Sequence, residues 1–481
     1  MTARRLCPPA PGPLGAYAAA FDDLFGSVAQ RRSFRDYLQG SLLPHDRQKT
    51  LTGLAGAEPV AQAQAPEVQR LQFFLSESTW DPDTLNARRL ELLLGDPVTA
   101  CHEQGALVID DSGDRKKGGH TAHVGRQYLG SVGKIDNGIV AVTTLWADER
   151  VYYPLHVVPF TPSRWFPKGD KDPAYRAKPQ LAVQLIDAAL AMGICFRAVV
   201  ADCGYGESTV LEEALWTAEL PYVLALRPSK GTWAPADQPH SPAEAARRLR
   251  WGGPAAPGDW TPVERTFRDG HTETWWAADL TLGGYGPDRR VRLIVATTDP
   301  VTLPEVSTWY LATTLPRPGS PWATEGGPGP ADLAEVVRLY GLRNWVEQGY
   351  KQVKQELGWA DFMVRSDQAI RRHWALICCA FSFCWRTRFR DPPPAEQPGS
   401  SARPASAPGR GENRRRSPAA AAPPLAGGAA PGAGVAGPLV VPPALLAGLV
   451  GPSAPTPRVA GAAGCRRRRP PPLPLSPALT N

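Results

Sequence analysis

Apolar residues recur at helical spacing through the first hundred residues of the chain. The spacing predicts helices over residues 17–43, 68–75 and 84–94. Residues 81–83 read Asp-Pro-Asp, which is typical of a helix start. The sequence therefore predicts a helical N-terminal domain over residues 1–100.

Beyond this domain, the pattern changes to short apolar runs that alternate with helical segments. Residues 128–160 alternate between apolar and polar positions, contain many β-branched residues, and predict two or three antiparallel strands. A mixture of single strands and helices on both sides of this stretch predicts an α/β core with a mixed sheet, whose first part is residues 101–221. The other predicted elements are strands at 106–110 and 196–202 and helices at 179–193 and 208–219.

A second group of strands separates this part from a helical region near the end of the core. Residues 222–330 carry five strand-like segments and predict a β-rich insertion. Residues 331–390 predict the last helical part of the core, with a helix broken near Tyr340 and Gly341.

Composition changes abruptly after residue 390. The segment 391–481 has 21 Pro and lacks Phe, Tyr, Trp, Ile, Lys and Met, so it buries too little apolar surface to fold and is predicted to be disordered. Two explanations stay open: a Pro/Ala-rich tail, or an out-of-frame translation of a GC-rich gene. With ten Arg and three acidic residues, this segment accounts for the whole net charge of +7, and the first 390 residues are formally neutral.

The sequence also lacks the patterns of a signal peptide, a membrane helix and the cysteine pairs of a zinc ribbon. The first 20 residues lack the apolar run of a signal peptide, and no stretch reaches the roughly 18 apolar residues of a membrane helix. None of the eight cysteines forms a CxxC pair, which argues against a zinc ribbon. We expect a soluble protein of the cytoplasm that does not bind a membrane.

Three acidic positions are candidates for metal chemistry. Asp110 and Asp111 end the first predicted strand and Asp202 ends another, so these side chains are expected to share a crevice at the carboxyl edge of the sheet. Glu347 lies on a helix that could face it. Carboxylates in this arrangement suit two Mg²⁺ ions that cleave phosphodiesters, although strand-terminal Asp is common in any α/β protein.

The helix that carries Glu347 has a second pattern. Tyr340, Arg343, Glu347 and Lys354 fit Y-x2-R-x3-E-x6-K. Arg343 and Glu347 are four residues apart and share one helix face, with Lys354 two turns further along on the same side. This stripe fits one metal-binding carboxylate beside cations for DNA phosphates, and it equally fits a surface helix with ordinary ion pairs.

In combination, these motifs resemble the DDE transposases of bacterial insertion sequences, whose YREK signature has the spacing just described. IDDSGDRKKG (109–118) resembles their first-Asp motif with Ser112 in place of the usual Thr, and HVGRQYLGSVGKIDNGIVAV (123–142) resembles the run after it. VADCGYG (200–206) resembles the second-Asp motif. The resemblance extends over residues 20–388, including the N-terminal segments 37–44 and 78–97.

The resemblance implies an RNase H-like core that cuts and joins DNA during transposition. It selects Asp111 over Asp110, because the family acid directly precedes the Thr/Ser-Gly pair, and so implies that Asp111, Asp202 and Glu347 hold two Mg²⁺ ions, for which Mn²⁺ can substitute. Tyr340, Arg343 and Lys354 are then expected to contact DNA. The expected partners are double-stranded DNA at the element ends and at the target, and a second copy of the chain on that DNA. The N-terminal domain is either a reader of the DNA end or a structural cap.

Several other residues have two interpretations each. Lys116, Lys117 and Arg126 follow the first acid and either grip phosphate or form a solvated charged run. His120 and His123 fit polar loop residues better than metal ligands. Trp345 either stacks on a flipped base or packs in the core.

Three functions are consistent with the chain as a whole. The first is an active transposase, and the second is a DNA-binding remnant that has lost catalysis with a frameshifted C-terminus. The third, an RNase H-like repair nuclease, is disfavoured by the YREK spacing.

Overall fold

The computed structural model describes residues 12–45, 47–267, 270–323 and 327–388. The predicted disorder of residues 391–481 concerns a segment outside these ranges. In the described residues, no helix is both long enough and apolar enough to cross a membrane.

The N-terminal residues form helices, as their spacing predicts. Two starts are capped: the Ser27 hydroxyl accepts from the Gln30 amide, and the Asp81 carboxylate accepts from the Thr84 amide at 2.7 Å. Such caps satisfy amide groups that have no partner within the helix. These helices are α1 (Pro13–Ala19), α2 (Val28–Leu42), α3 (Leu51–Leu54), α4 (Pro66–Ser76) and α5 (Pro82–Leu94).

The described strands form one mixed sheet, which confirms the predicted α/β class. Its order is β2-β3-β1-β5-β6-β10-β9-β8-β7, with β4 paired to β3. Strands β1, β5 and β6 are parallel, whereas β3 is antiparallel to both β1 and β4. The strands are β1 (Ala106–Arg115), β2 (Gly125–Leu129), β3 (Lys134–Ala147), β4 (Tyr152–Phe160), β5 (Ala198–Ala201), β6 (Tyr222–Ala225), β7 (Thr261–Thr266), β8 (Thr272–Leu280), β9 (Arg292–Thr297) and β10 (Thr308–Thr313).

Helices cover both faces of this sheet around β1. Helix α6 packs on β3 and β4 from one face, and α11 and α12 pack on β4 from the other. The predicted helix break is present, since α10 ends at Gly341 and Arg343 is the N-cap residue of α11. The remaining helices are α6 (Lys178–Ala191), α7 (Cys203–Gly206), α8 (Thr209–Thr217), α9 (Pro242–Arg247), α10 (Leu333–Gly341), α11 (Asn344–Gln355) and α12 (Asp367–Arg388).

The strand-rich segment that follows α8 continues the core sheet. Strand β6 pairs with β5, and β10 joins β6 to β9, so the later strands extend the same sheet. A separate small core lies there, built around Trp260, Leu280 and Tyr310. The proposed division at residues 222 and 330 remains a prediction.

The N-terminal helices and α12 share one hydrophobic core with the sheet. The fully buried Arg372 guanidinium of α12 donates to the carbonyl oxygens of Leu75, Ser78 and Trp80. A buried guanidinium is tolerated because these carbonyls replace its water. The N-terminal helices are thereby tied to the last core helix.

A buried histidine in this interface predicts acid sensitivity. His373 Nε2 donates to the Trp359 carbonyl oxygen at 3.0 Å, and the Tyr37 hydroxyl donates to His373 Nδ1 at 2.6 Å, an arrangement that requires the neutral ring. Burial lowers the pKa of His373 to about 3. Because this value lies below the 6.5 of an unfolded histidine, its contribution to stability is complete above pH 6.5 and is lost as the pH falls toward 3.

We therefore expect the free energy of unfolding in urea to fall by about 2 kcal/mol between pH 7 and pH 5 on account of His373 alone. His373→Gln, which can still donate to Trp359, should show a flatter pH dependence. His120→Gln is the matched control, because His120 is an exposed residue outside this buried interface, and the slope should stay that of wild type. An identical slope in wild type and His373→Gln would contradict the assignment.

Candidate active site

The sequence predicted that the first core strand ends at Asp110 and Asp111. In the structure, strand β1 continues to Arg115. Its polar second half pairs with Gly138–Thr143 of β3, and this pairing overrides the weak strand propensity of Asp, Ser and Gly. Successive side chains of a strand point to opposite faces. The side chains of Asp110 and Asp111 therefore lie on opposite faces of the sheet.

Asp110 points to the face covered by α11. It lies opposite Thr143, whose hydroxyl bonds to the hydroxyl of Tyr350 from α11. Its Oδ2 lies 3.2 Å from Arg343 Nη2, and its side chain is only 12% exposed. Its Oδ1 accepts from the Asp111 amide at 2.8 Å. The carboxylate is thus fixed at the sheet surface beneath α11.

Asp111 points to the opposite face, toward α6. Its Oδ2 lies 2.9 Å from Lys178 Nζ and accepts from the Tyr205 hydroxyl at 3.3 Å. The expectation that Asp111 meets Asp202 and Glu347 is therefore corrected. The reason is the alternation of side chains along a strand that continues past both acids.

Asp202 lies at the end of β5, level with Asp110. Strands β1 and β5 are parallel, and the last pair in register is Ile109 with Ala201, so Asp110 and Asp202 are the next residues on the two strands. Asp202 Oδ1 accepts from the Gly204 amide at 2.9 Å and caps α7. Its Oδ2 lies 3.7 Å from Arg343 Nη2, the same nitrogen that contacts Asp110.

Glu347 completes a group of three carboxylates around Arg343. Its Oε1 lies 3.2 Å from Arg343 Nη1, which confirms that the two residues share a helix face. The Glu347 side chain is 65% exposed, whereas that of Arg343 is 16% exposed. One guanidinium thus lies among Asp110, Asp202 and Glu347, with Glu347 on the solvent side.

Burial and neighbouring charges shift the pKa values of Asp110 and Arg343. Burial raises the pKa of Asp110 to about 7, and the neighbouring carboxylate of Asp202 adds to the rise, while Arg343 opposes it. Burial disfavours the charged Arg343, yet Asp110, Tyr340 and Asp202 together raise its pKa above the ordinary value. The site therefore gathers acidic groups around one buried cation, Arg343.

The donor set fits a hard divalent cation. Three carboxylates supply only oxygen ligands, which suit Mg²⁺ or Mn²⁺. Within the described ranges, no three His, Cys, Asp or Glu side chains already form a cluster that would hold a metal. Arg343 lies among these acids, and the side chain of Glu347 is exposed.

Three residues predicted to contact DNA have structural partners instead. Lys354 Nζ lies 2.6 Å from Asp114 Oδ1 and donates to the Gly113 carbonyl oxygen. Tyr340 is buried against Trp309, with ring centroids 4.8 Å apart, and burial raises its pKa to about 12.

Lys116, the third, lies with Nζ 3.5 Å from the centre of the Phe362 ring, and donates to the carbonyl oxygens of Ala360 and Phe362. Burial lowers its pKa to about 8. Each of these three contacts joins β1 or the strand-rich segment to the C-terminal helical part. These partners belong to the protein without DNA, and the contact of the three residues with DNA stays a prediction.

Of the other candidate residues, some are exposed to solvent and others are packed in the protein. Lys117, His120 and Arg126 are exposed. His123 is buried, with ring nitrogens 2.7 Å from the Thr161 hydroxyl and 2.7 Å from Asp367 Oδ1, and holds no metal-ligand arrangement. Trp345 stacks on Tyr152 at 5.1 Å, which supports the packed interpretation.

Two residues beside the site escaped the sequence analysis. Lys178 begins α6, and nothing in its local sequence indicates the contact with Asp111. Tyr205 lies within the motif around Asp202, and its spacing of three residues from that acid was the available signal. Its hydroxyl donates to Asp111 from the helix that Asp202 caps.

Comparisons with known proteins identify the family of the chain. The family model of the DDE superfamily endonucleases matches residues 20–279, a range that includes both strand-end acids and ends before Glu347. A protein of Microchaete diplosiphon, described as a probable transposase for insertion sequence element IS701, is 34% identical over 357 residues. The aligned region covers 72% of this chain and 80% of that relative.

Proposed function

The chain belongs to the DDE superfamily endonucleases and is a transposase, and we propose that Asp110, Asp202 and Glu347 are the carboxylates with which it cuts DNA. The observation that carries this assignment is their convergence on one guanidinium, at the point where β5 ends beside Asp110 of β1. Enzymes of this class depend on a divalent metal. The matches to an endonuclease family and to a transposase do not favour the alternative of an inactive remnant.

The three acids contribute differently to the proposed site. Asp110 and Asp202 are held by strand pairing and by hydrogen bonds to backbone amides, so they provide a rigid base. Glu347 is exposed on α11 and supplies an adjustable third ligand. When bound, two Mg²⁺ ions would activate water or a 3′-hydroxyl and stabilise the leaving oxygen.

Arg343 has a second role in this proposal. Its planar guanidinium matches a phosphate as well as a carboxylate. When DNA and metal enter, the residue can exchange Asp110 and Asp202 for the phosphate beside the cleaved bond. Lys117 and Arg126, both exposed, are proposed to contact phosphates further along the same strand.

The partners proposed for this enzyme are the ends of its own DNA element and a target duplex. Cleavage at two ends requires two sites, and we propose that two copies of the chain assemble on the DNA. The N-terminal domain that contains helices α1 to α5 is the proposed reader of the end, and the bacterial cytoplasm is the proposed place of action.

The test is cleavage of a plasmid that carries both ends of the element encoding this chain. With Mg²⁺ or Mn²⁺, the purified protein should nick or excise the element and join it to a second plasmid. A plasmid without the ends should remain intact. Equal cleavage in EDTA would refute metal-dependent chemistry.

A further inference from the structure

The connection between β4 and α6, residues 161–177, emerges beside the proposed active site. Strand β4 is antiparallel to β3, which is antiparallel to β1, so β4 and β1 run in the same direction. In register, Phe160 lies opposite Val140, which pairs on its other side with Gly113. The connection therefore leaves the sheet at the edge where Asp110 and Asp202 lie. We call it the β4–α6 loop.

The β4–α6 loop carries exposed positive charge in a chain whose first 390 residues are formally neutral. Arg164, Lys168 and Lys171 are exposed, and none of them forms an ion pair with an acid of the described chain. Of the loop's two acids, Asp172 accepts backbone amides of Lys168 and Ala174 within the loop. A local excess of unpaired cations attracts a polyanion.

The loop is ordered by its own contacts before any partner binds. Trp165 Nε1 donates to the Val124 carbonyl oxygen at 2.9 Å, and the Arg164 guanidinium donates to the same oxygen. The rings of Phe166 and Tyr175 pack edge to face at 5.6 Å. Because the backbone is already fixed, binding a phosphate chain would cost little conformational entropy.

Both ends of the loop adjoin residues next to the catalytic carboxylates. Lys178, the first residue of α6, lies 2.9 Å from Asp111, the strand neighbour of Asp110. A Cβ added at Gly125 would lie 3.6 Å from Arg164 Nε, so Arg164 lies against the residue before Arg126. One end of the loop therefore lies against β2 at Gly125, and the other end lies beside Asp111.

We propose that the β4–α6 loop binds the phosphate backbone of duplex DNA beside the cleaved bond, on the α6 side of the sheet. This inference rests on the proposed function, since it takes DNA in that site as the ligand. Arg164, Lys168 and Lys171 each neutralise a phosphate. Trp165, whose side chain remains substantially exposed, anchors the loop and offers a ring edge to the sugar-phosphate chain.

The test is the salt dependence of DNA binding by the variant Arg164→Gln/Lys168→Gln/Lys171→Gln. Two 40-base-pair probes, one carrying an element end and one of unrelated sequence, are titrated without metal at several salt concentrations. Loss of three phosphate contacts should reduce the slope of log affinity against log salt by about 2.7, at ~0.9 per contact, and weaken binding at low salt by at least roughly tenfold. Its circular dichroism should match wild type, because Trp165 keeps its hydrogen bond to the Val124 carbonyl oxygen when Arg164 is replaced.

The matched control replaces three exposed arginines of the strand-rich segment, Arg247, Arg248 and Arg289, by Gln. A loss on the element-end probe assigns the loop to the cleaved DNA, and a loss only on the unrelated probe assigns it to the target. An unchanged slope on both probes, or an equal loss in the control, would overturn the proposal. Failure of wild type to cleave with Mg²⁺ would reject the proposed function, and the slopes would still measure DNA binding by the loop.

Discussion

Asp110→Asn is expected to abolish DNA cleavage, whereas Asp111→Asn should leave most of it. Asp110 shares the nitrogen Arg343 Nη2 with Asp202, while Asp111 contacts Lys178 and Tyr205 on the other face. Removing one charge from a carboxylate that holds the reacting centre should lower the cleavage rate on the order of 10⁴-fold.

The fold should survive both substitutions, so that the loss can be assigned to chemistry. Burial raises the pKa of Asp110 to about 7, which means that its charged form is disfavoured in the folded protein and that neutral Asn fits the position. Asp111 and Lys178 are partly exposed, and losing their ion pair should cost about 1 kcal/mol or less.

Single-turnover cleavage of an element-end duplex with Mn²⁺ measures the two rates, and end-binding without metal serves as the control. Full activity of Asp110→Asn together with inactivity of Asp111→Asn would restore the assignment made from sequence resemblance. Inactivity of both would place Asp111 in the site through Tyr205, whose hydroxyl donates to Asp111 and whose pKa is raised by burial and by the charges of Asp111, Asp110 and Asp202.

The difference between Asp110 and Asp111 shows where sequence reasoning reached its limit. Two adjacent acids on one strand differ only in face, and the face depends on which partner each side of the strand packs against. That information lies in β3 and α11, far along the chain. Thr143 and Tyr350 identify the face of Asp110 only after the fold has brought them together.

Local sequence patterns, in contrast, were sufficient to predict most of the helices and strands. Apolar spacing predicted α5 and its cap at Asp81, and the alternation over residues 128–160 predicted the antiparallel strands β2 to β4. The four-residue spacing of Arg343 and Glu347 predicted their contact. These features depend on neighbours within a few residues, which a sequence displays directly.

The partner of Lys354, in contrast, could not be predicted from its local sequence. Its spacing from Glu347 suggested a residue free to bind phosphate, but Asp114 holds it at 2.6 Å. Asp114 belongs to the polar end of β1, which strand propensity assigned to a loop. The sequence also did not show that β6 to β10 belong to one continuous sheet, because strand order depends on pairing between residues far apart in the chain.

Arg343→Gln should destabilise the free protein and make it respond more strongly to divalent cations. The substitution leaves the buried Asp110 carboxylate without its cation, and losing one partner of a buried ion pair typically costs about 3–5 kcal/mol. Because the pKa of Asp110 is raised already and would rise further without Arg343, Asp110 of the variant is neutral at pH 6 and is forced to ionise only as the pH rises toward 8. The deficit relative to wild type should therefore be larger at pH 8 than at pH 6.

Thermal melting with and without Mn²⁺ measures both effects without any assay of cleavage. Mn²⁺ should raise the melting temperature of Arg343→Gln more than that of wild type, because no guanidinium competes for Asp110 and Asp202. The double variant Asp110→Asn/Arg343→Gln is the control: it removes the unpaired charge, so it should recover most of the stability and lose the added response to Mn²⁺. If the double variant is as unstable as Arg343→Gln, Arg343 supports the fold through packing alone, and the acids do not depend on it as their cation.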